Sequence, residues 1–460
     1  MPTLIALVRR LIDRVFPRGA LILSVLSLGY FAMGVIRNRA LANTFGAGVE
    51  LDAYNAAFKI PEVALDVLVA GGLTAPFVPI FNSLRQRDER AAHDFGRTVL
   101  TVAVLVMSVV ILVLFLVAPA TVELVAPSFD PATRALYVDL FRLMCVTPIL
   151  YAASIAIGEV LVAHQRFLFY ALAPILYTGG IVLGTILFGH RYGIYATAAG
   201  ALAGAVAHLA IRTLGLLRTP FRIRARFAIR TPAFREFVRL MLPRMISQPI
   251  DPLILTFFTN LASSVGIGAV TSFNFASDYQ VVPVSLIGAS FSLAVFPTLA
   301  AAYAAGDALT FRQILRRNVV TIGALTVLAA VALAILAHPL VAILLGGGAF
   351  GPSDVDRTAT VLTAYALSIP LDSLSYPLSR ALYATHNTIL QVIASIFGVA
   401  TIVVVGLTLS GPVGIVAIPL AAAAGGVVKV GLLTLFLIPR LRRIGTEGPA
   451  RAAAETEPPA

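Results

Sequence analysis

Six charged side chains in the stretch 37–81 lie inside or at the edge of two otherwise apolar segments. They are Arg37, Arg39, Asp52, Lys59, Glu62 and Asp66. A charge at membrane depth is costly unless it faces other protein or a water-filled cavity, so such clusters typically mark a substrate or ion pathway. These residue types therefore predict a polar cavity wall that binds a charged guest.

Spacing places three of these residues on one helix face. Lys59, Glu62 and Asp66 follow each other at i, i+3 and i+7, which stacks them on one side of a helix. A buried lysine pairs readily with carboxylates, so the group is suited to an intramembrane network or a proton-coupled switch. The alternative is a structural ion pair between helices, in which the lysine and a carboxylate only neutralise each other.

The two arginines are suited to binding an anion. Arg37 and Arg39 are two residues apart and so point to different sides of a helix. Arginine binds phosphate and carboxylate groups through two parallel hydrogen bonds. An anionic head group is the expected guest of whichever arginine faces inward, while the other extends toward the membrane surface.

Four polar residues in the second half of the chain are candidates for coupling an ion. These are Asp251, Asp278, Gln280 and Asp372. Asp251 lies between Pro249 and Pro252, where an unwound backbone would offer carbonyl oxygens to a cation. Asp372 also has a simpler interpretation, as a partner of nearby serine hydroxyls.

The elements that position these residues must be membrane helices. The 460 residues are 59% hydrophobic and only 12% charged, with a mean hydropathy of +0.92, which excludes a soluble globular protein. The apolar runs are about 20 residues long, whereas barrel strands have about 10. The fold class is therefore an all-α polytopic membrane protein.

Twelve apolar segments are predicted to cross the bilayer as helices. They lie at 21–44, 52–81, 98–119, 136–162, 168–189, 193–216, 237–260, 266–300, 319–345, 357–384, 389–410 and 413–438.

The distribution of arginine orients these helices. Loops rich in Arg and Lys stay in the cytoplasm, which places both termini there. The net charge of +12 reflects this topology and attraction to anionic lipids, and it does not indicate nucleic acid. The predicted divisions are a basic interfacial helix at 1–19, an N-lobe at 20–217, a basic linker at 218–236, a C-lobe at 237–440 and a disordered cytoplasmic tail at 441–460.

An internal repeat relates the two lobes at an offset near 220 residues. It pairs Pro79 with Pro297 and Gly193 with Gly414. Six spans per half give both halves the same orientation, so we expect two six-helix lobes related by a pseudo-two-fold axis along the membrane normal, with the site at their interface. The halves differ in chemistry, because His208 lies opposite Lys429 and Glu159 lies opposite Arg380.

Signals of soluble enzymes are absent from the sequence. There is no phosphate-binding G-x-x-x-x-G-K-S/T loop, no H-E-x-x-H and no G-x-S-x-G, so we expect no nucleotide, metal or other cofactor. The best enzyme hypothesis is a membrane glycosyltransferase that uses a lipid-phosphate donor, with carboxylates in the segment 46–52. The outer loops, at about a dozen residues, are near ordinary connection lengths and short for holding an acceptor.

The segment 45–81, FGAGVELDAYNAAFKIPEVALDVLVAGGLTAPFVPIF, resembles the opening signature of the MurJ/MviN lipid II flippases. The resemblance implies the fold of the multidrug/oligosaccharidyl-lipid/polysaccharide exporter superfamily. It also implies transport of an undecaprenyl-pyrophosphate-linked peptidoglycan precursor across the inner membrane, a step of cell wall biogenesis that maintains cell shape. Two further C-terminal helices, which form a lipid-tail groove in many members, are expected to be missing.

The chain departs from the pattern of this family at several basic positions. Arg37, Asp52 and Lys59 carry over as functional positions. The first arginine of the family's motif in span one is Phe31 here, its basic residues of span two fall near Leu65 and Asp66, and its arginine in span eight falls near Asp278. Arg39 compensates in part under this alignment.

The leading hypothesis is thus a monomeric flippase for a lipid-linked, anionic glycan precursor, working by alternating access without a nucleotide. Its transport is expected to be coupled to a monovalent ion, a proton or the membrane potential. The runner-up is a polysaccharide-lipid flippase or a cation-coupled small-molecule exporter of the same superfamily, because carboxylates such as Asp66 and Asp278 favour cationic guests. A transporter-like scaffold is the remaining alternative.

Overall fold

The computed structural model describes residues 18–247, 250–385 and 387–456. The chain is 88% helical, and no β-strand occurs in the described ranges. The prediction of an all-helical protein is therefore confirmed. The predicted interfacial helix at 1–19 lies almost entirely outside the described residues.

Helices occupy the predicted apolar segments, several of which are divided between two helices. In the first half they are α1 (Arg18–Phe45), α2 (Val49–Leu65), α3 (Gly71–Arg87), α4 (Glu89–Leu116), α5 (Ala118–Val125), α6 (Pro131–Met144), α7 (Val146–Ala163), α8 (Phe167–Tyr192) and α9 (Ile194–Leu216). The second half contains α10 (Pro232–Ser247), α11 (Ile250–Ser263), α12 (Ala269–Pro283), α13 (Ser290–Ala304), α14 (Ala308–Leu344), α15 (Pro352–Tyr365), α16 (Ser368–Ala384), α17 (Thr388–Val413) and α18 (Ala417–Thr456).

Eight helical stretches of the described chain are long and apolar enough to cross a membrane. They are Val49–Arg87, Glu89–Leu116, Pro131–Ala163, Phe167–Tyr192, Ile194–Leu216, Ala269–Ala304, Ala308–Leu344 and Thr388–Leu441. The last of these contains both α17 and α18. Many large apolar side chains on these helices remain exposed, as expected of surfaces that face lipid rather than water.

The chain divides into two compact units. Unit 1 comprises Met1–Asn260 with Gly347–Phe350, and unit 2 comprises Leu261–Gly346 with Gly351–Ala460. The division falls after Asn260 rather than within the linker 218–236. The reason is that α10 packs on α3 and α4, where Phe237 is buried with its ring edge-on to Phe95.

Unit 1 contains a close contact between the backbones of α8 and α9. A β-carbon added at Gly180 would lie 2.6 Å from the carbonyl oxygen of Gly200, and one added at Gly184 would lie 2.8 Å from the Cα of Gly200. Small residues spaced four apart let membrane helices approach until their backbones touch. The glycines of α8 and α9 therefore fix the spacing of this helix pair.

The repeat preserves this contact in unit 2. A β-carbon added at Gly425 on α18 would lie 2.7 Å from the carbonyl oxygen of Gly398 on α17. The hinge glycines before α9 and at the end of α17 also match, because Gly193 and Gly414 have φ of +58° and +57°. Residues with side chains rarely adopt this backbone conformation, which explains why both halves use glycine.

The linker after α9 is anchored to α4. Arg97 Nε donates to the carbonyl oxygen of Arg222 at 2.9 Å, and Arg226 pairs with Asp94 at 3.1 Å. Phe221 is buried beside the ring of His93, with centroids 5.5 Å apart. We call the end of unit 1 that carries the linker and the loop 164–166 the basic end.

Aspartate side chains begin several helices. Asp130 accepts hydrogen bonds from the hydroxyl of Thr133 at 2.5 Å and from the N–H of Ala132 at 2.9 Å. These bonds, above all that from the Thr133 hydroxyl, hold the pKa of Asp130 below its usual value. Asp307 accepts from the N–H of Thr310 at 2.9 Å, and its pKa is lowered by its bonds to Thr310. Each supplies an acceptor for N–H groups that a helix start leaves unpaired.

The last helix continues beyond the expected end of the C-lobe. The segment 441–456, for which the sequence predicts disorder, belongs to α18.

Candidate functional site

The two arginines of α1 have different environments. Arg37 is half-buried, and its Nε and Nη2 donate to the Oδ1 of the buried Asn38 at 3.0 and 2.8 Å. Arg39 is exposed. These two hydrogen bonds to one amide oxygen fix the orientation of the Arg37 guanidinium.

Asp52 lies in the first turn of α2. It is only 2% exposed, and its N–H donates to the carbonyl oxygen of Gly48 at 3.0 Å. The positive end of the helix dipole stabilises a carboxylate in the first turn. The local backbone therefore supports a buried charge at this position.

The three residues predicted to share a face lie where the helix changes geometry. Lys59 is half-buried and Glu62 is exposed, both on α2. Asp66 is half-buried and begins a π-helical segment, Asp66–Ala70, between α2 and α3. Glu62 and Asp66 are close enough for their charges to interact. Two acidic groups thus lie side by side at a π-helix, a feature frequent at functional sites.

Two of the predicted ion-coupling residues meet in unit 2. Gln280 on α12 is buried, and its Nε2 donates to Asp372 Oδ2 on α16 at 3.0 Å and to Ser368 Oγ at 3.1 Å. The Oγ of the neighbouring Ser373 is buried without a hydrogen-bond partner among the described residues. Polar groups are rarely left unpaired in protein interiors, so this cluster offers oxygen atoms to a small ligand.

A second π-helix follows this cluster, at the position that the repeat pairs with the first. It spans Val284–Ala289 between α12 and α13. Its Gly288 faces α16 so closely that an added β-carbon would lie 2.7 Å from the Cα of Ser373. Both halves therefore interrupt the equivalent helix in the same way.

The remaining two candidates are not brought into this cluster by any described contact. Asp251 is exposed in the first turn of α11, so its own backbone is helical rather than unwound. Asp278 is exposed on α12, on a different side from the buried Gln280. Side chains two residues apart on a helix cannot face the same way.

A buried polar cluster in unit 1 includes a residue that the sequence interpretation missed. Glu159 and His208 were noted because their repeat partners differ, but Arg212 was not, although it lies one helical turn after His208. All three are at most 5% exposed. The available signal was an arginine inside an apolar segment, which alone indicates a functional or buried polar site.

Two cavities, each formed by described residues of one unit, are lined by residues other than the candidates. One of about 830 Å³ lies in unit 2 between α14 and α15, with His338 and Asp356 at its polar edge. Another of about 560 Å³ lies in unit 1 between α3 and α10, with Arg87 and Glu236 among apolar neighbours. The candidate residues are therefore assigned from their hydrogen bonds and burial, not from these two cavities.

The fold resembles those of solved membrane transporters. It matches the inward-facing conformation of a multidrug resistance MATE family transporter of the MOP superfamily with a TM-score of 0.77, at 13% identity over 91% of this chain and 96% of that chain. It matches the inward closed conformation of the lipid II flippase MurJ with a TM-score of 0.78, at 20% identity over 96% of this chain and 94% of that chain.

The family follows from the sequence match. Residues 41–454 match the family model described as lipid II flippase MurJ, so the chain belongs to this family. A probable lipid II flippase MurJ of Rhizobium meliloti is 28% identical over 90% of this chain and 78% of the relative. One of Rickettsia prowazekii is 25% identical over 81% of this chain and 74% of the relative. The predicted family is confirmed, and it is one of transporters rather than enzymes.

Proposed function

We propose that this protein moves a lipid-linked peptidoglycan precursor of the lipid II class from the inner to the outer leaflet of the bacterial cytoplasmic membrane by alternating access. The observation that carries this proposal is the family match over residues 41–454. Its substrate would be an undecaprenyl-pyrophosphate-linked sugar, an anionic glycan lipid.

Arg37 is the residue we assign to the pyrophosphate. Its guanidinium is half-buried and oriented by Asn38, and arginine matches the planar geometry of phosphate oxygens. Arg39 assists as a second cation. Asp52, Lys59, Glu62 and Asp66 form the polar wall beside it, and the Glu62–Asp66 pair excludes further anions by repulsion.

The coupling site belongs to the second half of the chain in this proposal. Gln280 and Asp372 supply it, since they already contact each other at 3.0 Å, and Asp251 or Asp278 contributes a charge. A monovalent cation or a proton is the proposed coupling ion, and the membrane potential acts on the same charges. No nucleotide takes part.

The architecture we propose has twelve spans in two six-helix lobes related by a pseudo-two-fold axis along the membrane normal. The N-lobe is 20–217 and the C-lobe is 237–440, joined by the linker 218–236. The basic end of unit 1 carries loops rich in arginine, which supports a cytoplasmic position for that end and for both termini. The protein works as a monomer.

The test is a flipping assay with the purified full chain in proteoliposomes that contain fluorescent lipid II. Arg37→Ala is expected to abolish flipping, and Arg37→Lys to retain part of it, since lysine keeps the charge but loses the second hydrogen bond. The matched control is Arg191→Ala, because Arg191 is exposed and contacts only the ring of Tyr192 among the described residues.

Full flipping by Arg37→Ala would exclude the assigned role of that residue. Absence of flipping by the wild-type chain, together with unchanged delivery of precursor to the outer leaflet in cells depleted of the protein, would exclude the proposed function itself.

A second candidate function is supported by the acidic pair at the first π-helix. Glu62 and Asp66 lie close together, and adjacent carboxylates favour a cationic guest. A cation-coupled exporter would move a lipophilic cation across the same proteoliposomes, and Asp66→Asn would abolish that transport. No movement of the cation by the wild-type chain would exclude this second function.

A further inference from the structure

Four polar side chains form a buried column inside unit 1, away from the residues assigned to the substrate. Ser154 and Glu159 extend from α7, and His208 and Arg212 from α9. Each is at most 5% exposed. Such a group inside an apolar helix bundle is costly, so it requires a structural or functional explanation.

Arg212 ties three helices together. Its Nη1 donates to the carbonyl oxygen of Ser154 on α7 at 2.9 Å, and its Nη2 donates to that of Tyr170 on α8 at 3.4 Å. The guanidinium also lies 4.7 Å from the centre of the Tyr170 ring. Its Nε is buried and has no hydrogen-bond partner in the described part of the chain. Arg212 therefore links α7, α8 and α9, while its Nε–H group makes no hydrogen bond to the described residues.

Glu159 is the carboxylate that faces Arg212. It is 3% exposed and feels the charge of Arg212, but within the described ranges the two form no ion pair. Burial favours the neutral form of a carboxyl group, whereas a nearby guanidinium favours the charged form. Because these influences oppose each other at Glu159, the position of Arg212 affects which form of the carboxyl group is favoured.

The column begins one helical turn inside the basic end. Glu159 lies four residues before the end of α7, and Arg212 four residues before the end of α9, or about 6 Å along each helix. The loops at this end are adjacent, because Arg166 Nη2 donates to the carbonyl oxygen of Arg218 at 3.0 Å. Protons from the solution on this side need to travel only a short distance to reach Glu159.

From there, polar groups continue toward the substrate residues. His208 Nδ1 lies 2.7 Å from Ser154 Oγ, and the His208 ring stacks on Tyr151 with centroids 4.5 Å apart. Tyr151 meets Tyr177 edge-on at 5.1 Å. Tyr177 lies on α8, which packs against α1, the helix that carries Arg37, and α7 packs against α2, the helix that carries Glu62.

We propose that Glu159 is a proton-binding site of the transport cycle and that Arg212 converts its protonation into a change in the packing of α7, α8 and α9. This inference rests on the proposed function, and it adds a proton-binding site in unit 1 to the coupling site proposed in unit 2. A hydronium ion at the basic end gives up a proton, which forms an O–H bond on the Glu159 carboxylate.

Protonation removes the negative charge that faces Arg212. The guanidinium then keeps its two backbone carbonyl oxygens and the Tyr170 ring but loses its negative counter-charge. An uncompensated buried charge destabilises the packing that contains it. The three helices therefore favour a different arrangement when Glu159 is neutral. The polar column transmits this change toward Glu62 and Arg37.

The charged and titratable groups around Glu159 are few. Among the described residues, Arg212 faces it from α9 and Tyr170 from α8, whereas His208 contacts Ser154 and Tyr151. From α3, Arg85 donates to the carbonyl oxygen of Ala163 at 3.1 Å, and from α4, His93 packs beside His164 with centroids 6.5 Å apart. Both therefore contact the end of α7 rather than Glu159.

The first experiment does not depend on transport. Infrared difference spectra of the purified full chain are recorded between about pH 5 and pH 8, where perturbed carboxyl groups and histidines titrate. We expect a carbonyl band from a protonated carboxyl group that is lost in Glu159→Gln and kept in the control Glu123→Gln. Glu123 is the matched carboxylate because it is exposed, in an ion pair with Arg134, far along the chain from the column.

The second experiment measures lipid II flipping in proteoliposomes with and without a pH gradient. We expect wild-type flipping to respond to the gradient, and we expect Glu159→Gln to lose that response while it flips at the gradient-independent rate. If Glu159→Gln does not fold, Glu159→Asp is used instead, and it is expected to keep the band and the response with a shifted pH midpoint.

An unchanged band in folded Glu159→Gln, or an unchanged response to the gradient, would overturn the proton site even if the protein flips lipid II. A Glu159→Asp variant whose infrared band and gradient response both keep the wild-type pH midpoint would overturn it as well. Conversely, a wild-type chain that shows the band but flips no lipid II would contradict the proposed function and leave the proton-binding site supported.

Discussion

The side-chain amide of Gln280 donates a hydrogen bond to the carboxylate of Asp372 at 3.0 Å, joining α12 to α16 within unit 2. The same amide bonds Ser368, so one buried side chain holds two groups of the neighbouring helix. The contact lies immediately before the π-helix Val284–Ala289. A hydrogen-bonded carboxylate next to a helix irregularity is a suitable place for an ion to alter helix packing.

Replacing Gln280 with leucine should separate the two helices at this point. Gln280→Leu is expected to lower the free energy of unfolding by about 1–2 kcal/mol, the lower range for a hydrogen bond to a charged group, because Asp372 is half-exposed. The matched control is Gln391→Leu, which loses only a bond to Ser395 in its own helix. Urea unfolding of the purified chain measures the free energy of unfolding of both variants. It is followed by tyrosine fluorescence, because the chain contains no tryptophan. Equal losses of unfolding free energy in the two variants would argue against a special role for the contact between Gln280 and Asp372.

The second π-helix should tolerate no added side chain where it faces α16. Gly288→Ala would place a β-carbon 2.9 Å from the Cβ of Ser373, whereas the nearest atom to a β-carbon at Gly323 is 3.7 Å away. Overpacking of this kind costs about 1–3 kcal/mol. We therefore expect Gly288→Ala to lower both the melting temperature and the rate of lipid II flipping, and Gly323→Ala to change neither. Normal flipping by Gly288→Ala would show that the π-helix need not be tightly packed.

Sequence patterns located the apolar helices and the charged residues within them, because both depend on composition along one helix. The meeting of Gln280 with Asp372 could not be predicted, since it depends on which faces of α12 and α16 pack together. The π-helices were also missed. The prolines near them indicated interrupted helices, but an extra residue in a turn depends on tertiary contacts such as that of Gly288 with Ser373.

A similar limit applies to the predicted linker 218–236. The basic composition of 218–236 resembles a linker between lobes, and this segment is indeed free of helix until Pro232. Phe237 nevertheless binds α10 to unit 1 through its contact with Phe95. Composition identifies a connection but not the side on which the following helix packs.

The contact between α8 and α9 predicts a sharp difference between adjacent glycines. A β-carbon at Gly180 would lie 2.6 Å from the backbone nitrogen of Gly204, whereas one at Gly179 has no neighbour within 4 Å. Gly180→Ala should therefore cost about 1–3 kcal/mol through forced separation of the helices. Gly179→Ala should be neutral or slightly stabilising, since alanine favours the helix by about 1 kcal/mol over glycine. Thermal unfolding of the two variants checks this, and similar melting temperatures would rule out the close backbone contact.

The N-cap of α6 predicts a stability difference that depends on pH. The pKa of Asp130 is lowered in the folded protein by its hydrogen bonds, first that from the Thr133 hydroxyl, so the cap stabilises the fold above the ordinary aspartate pKa of about 3.9. This contribution is lost as the pH falls through the lowered folded pKa. Asp130→Ala should therefore melt at a lower temperature than the wild type at neutral pH, and the difference should shrink in acid. Asp130→Asn, which keeps a capping acceptor without a charge, should show a smaller difference at neutral pH. Melting temperatures across an acid-to-neutral series measure both variants, and a constant gap for Asp130→Ala would contradict the assigned role of the carboxylate.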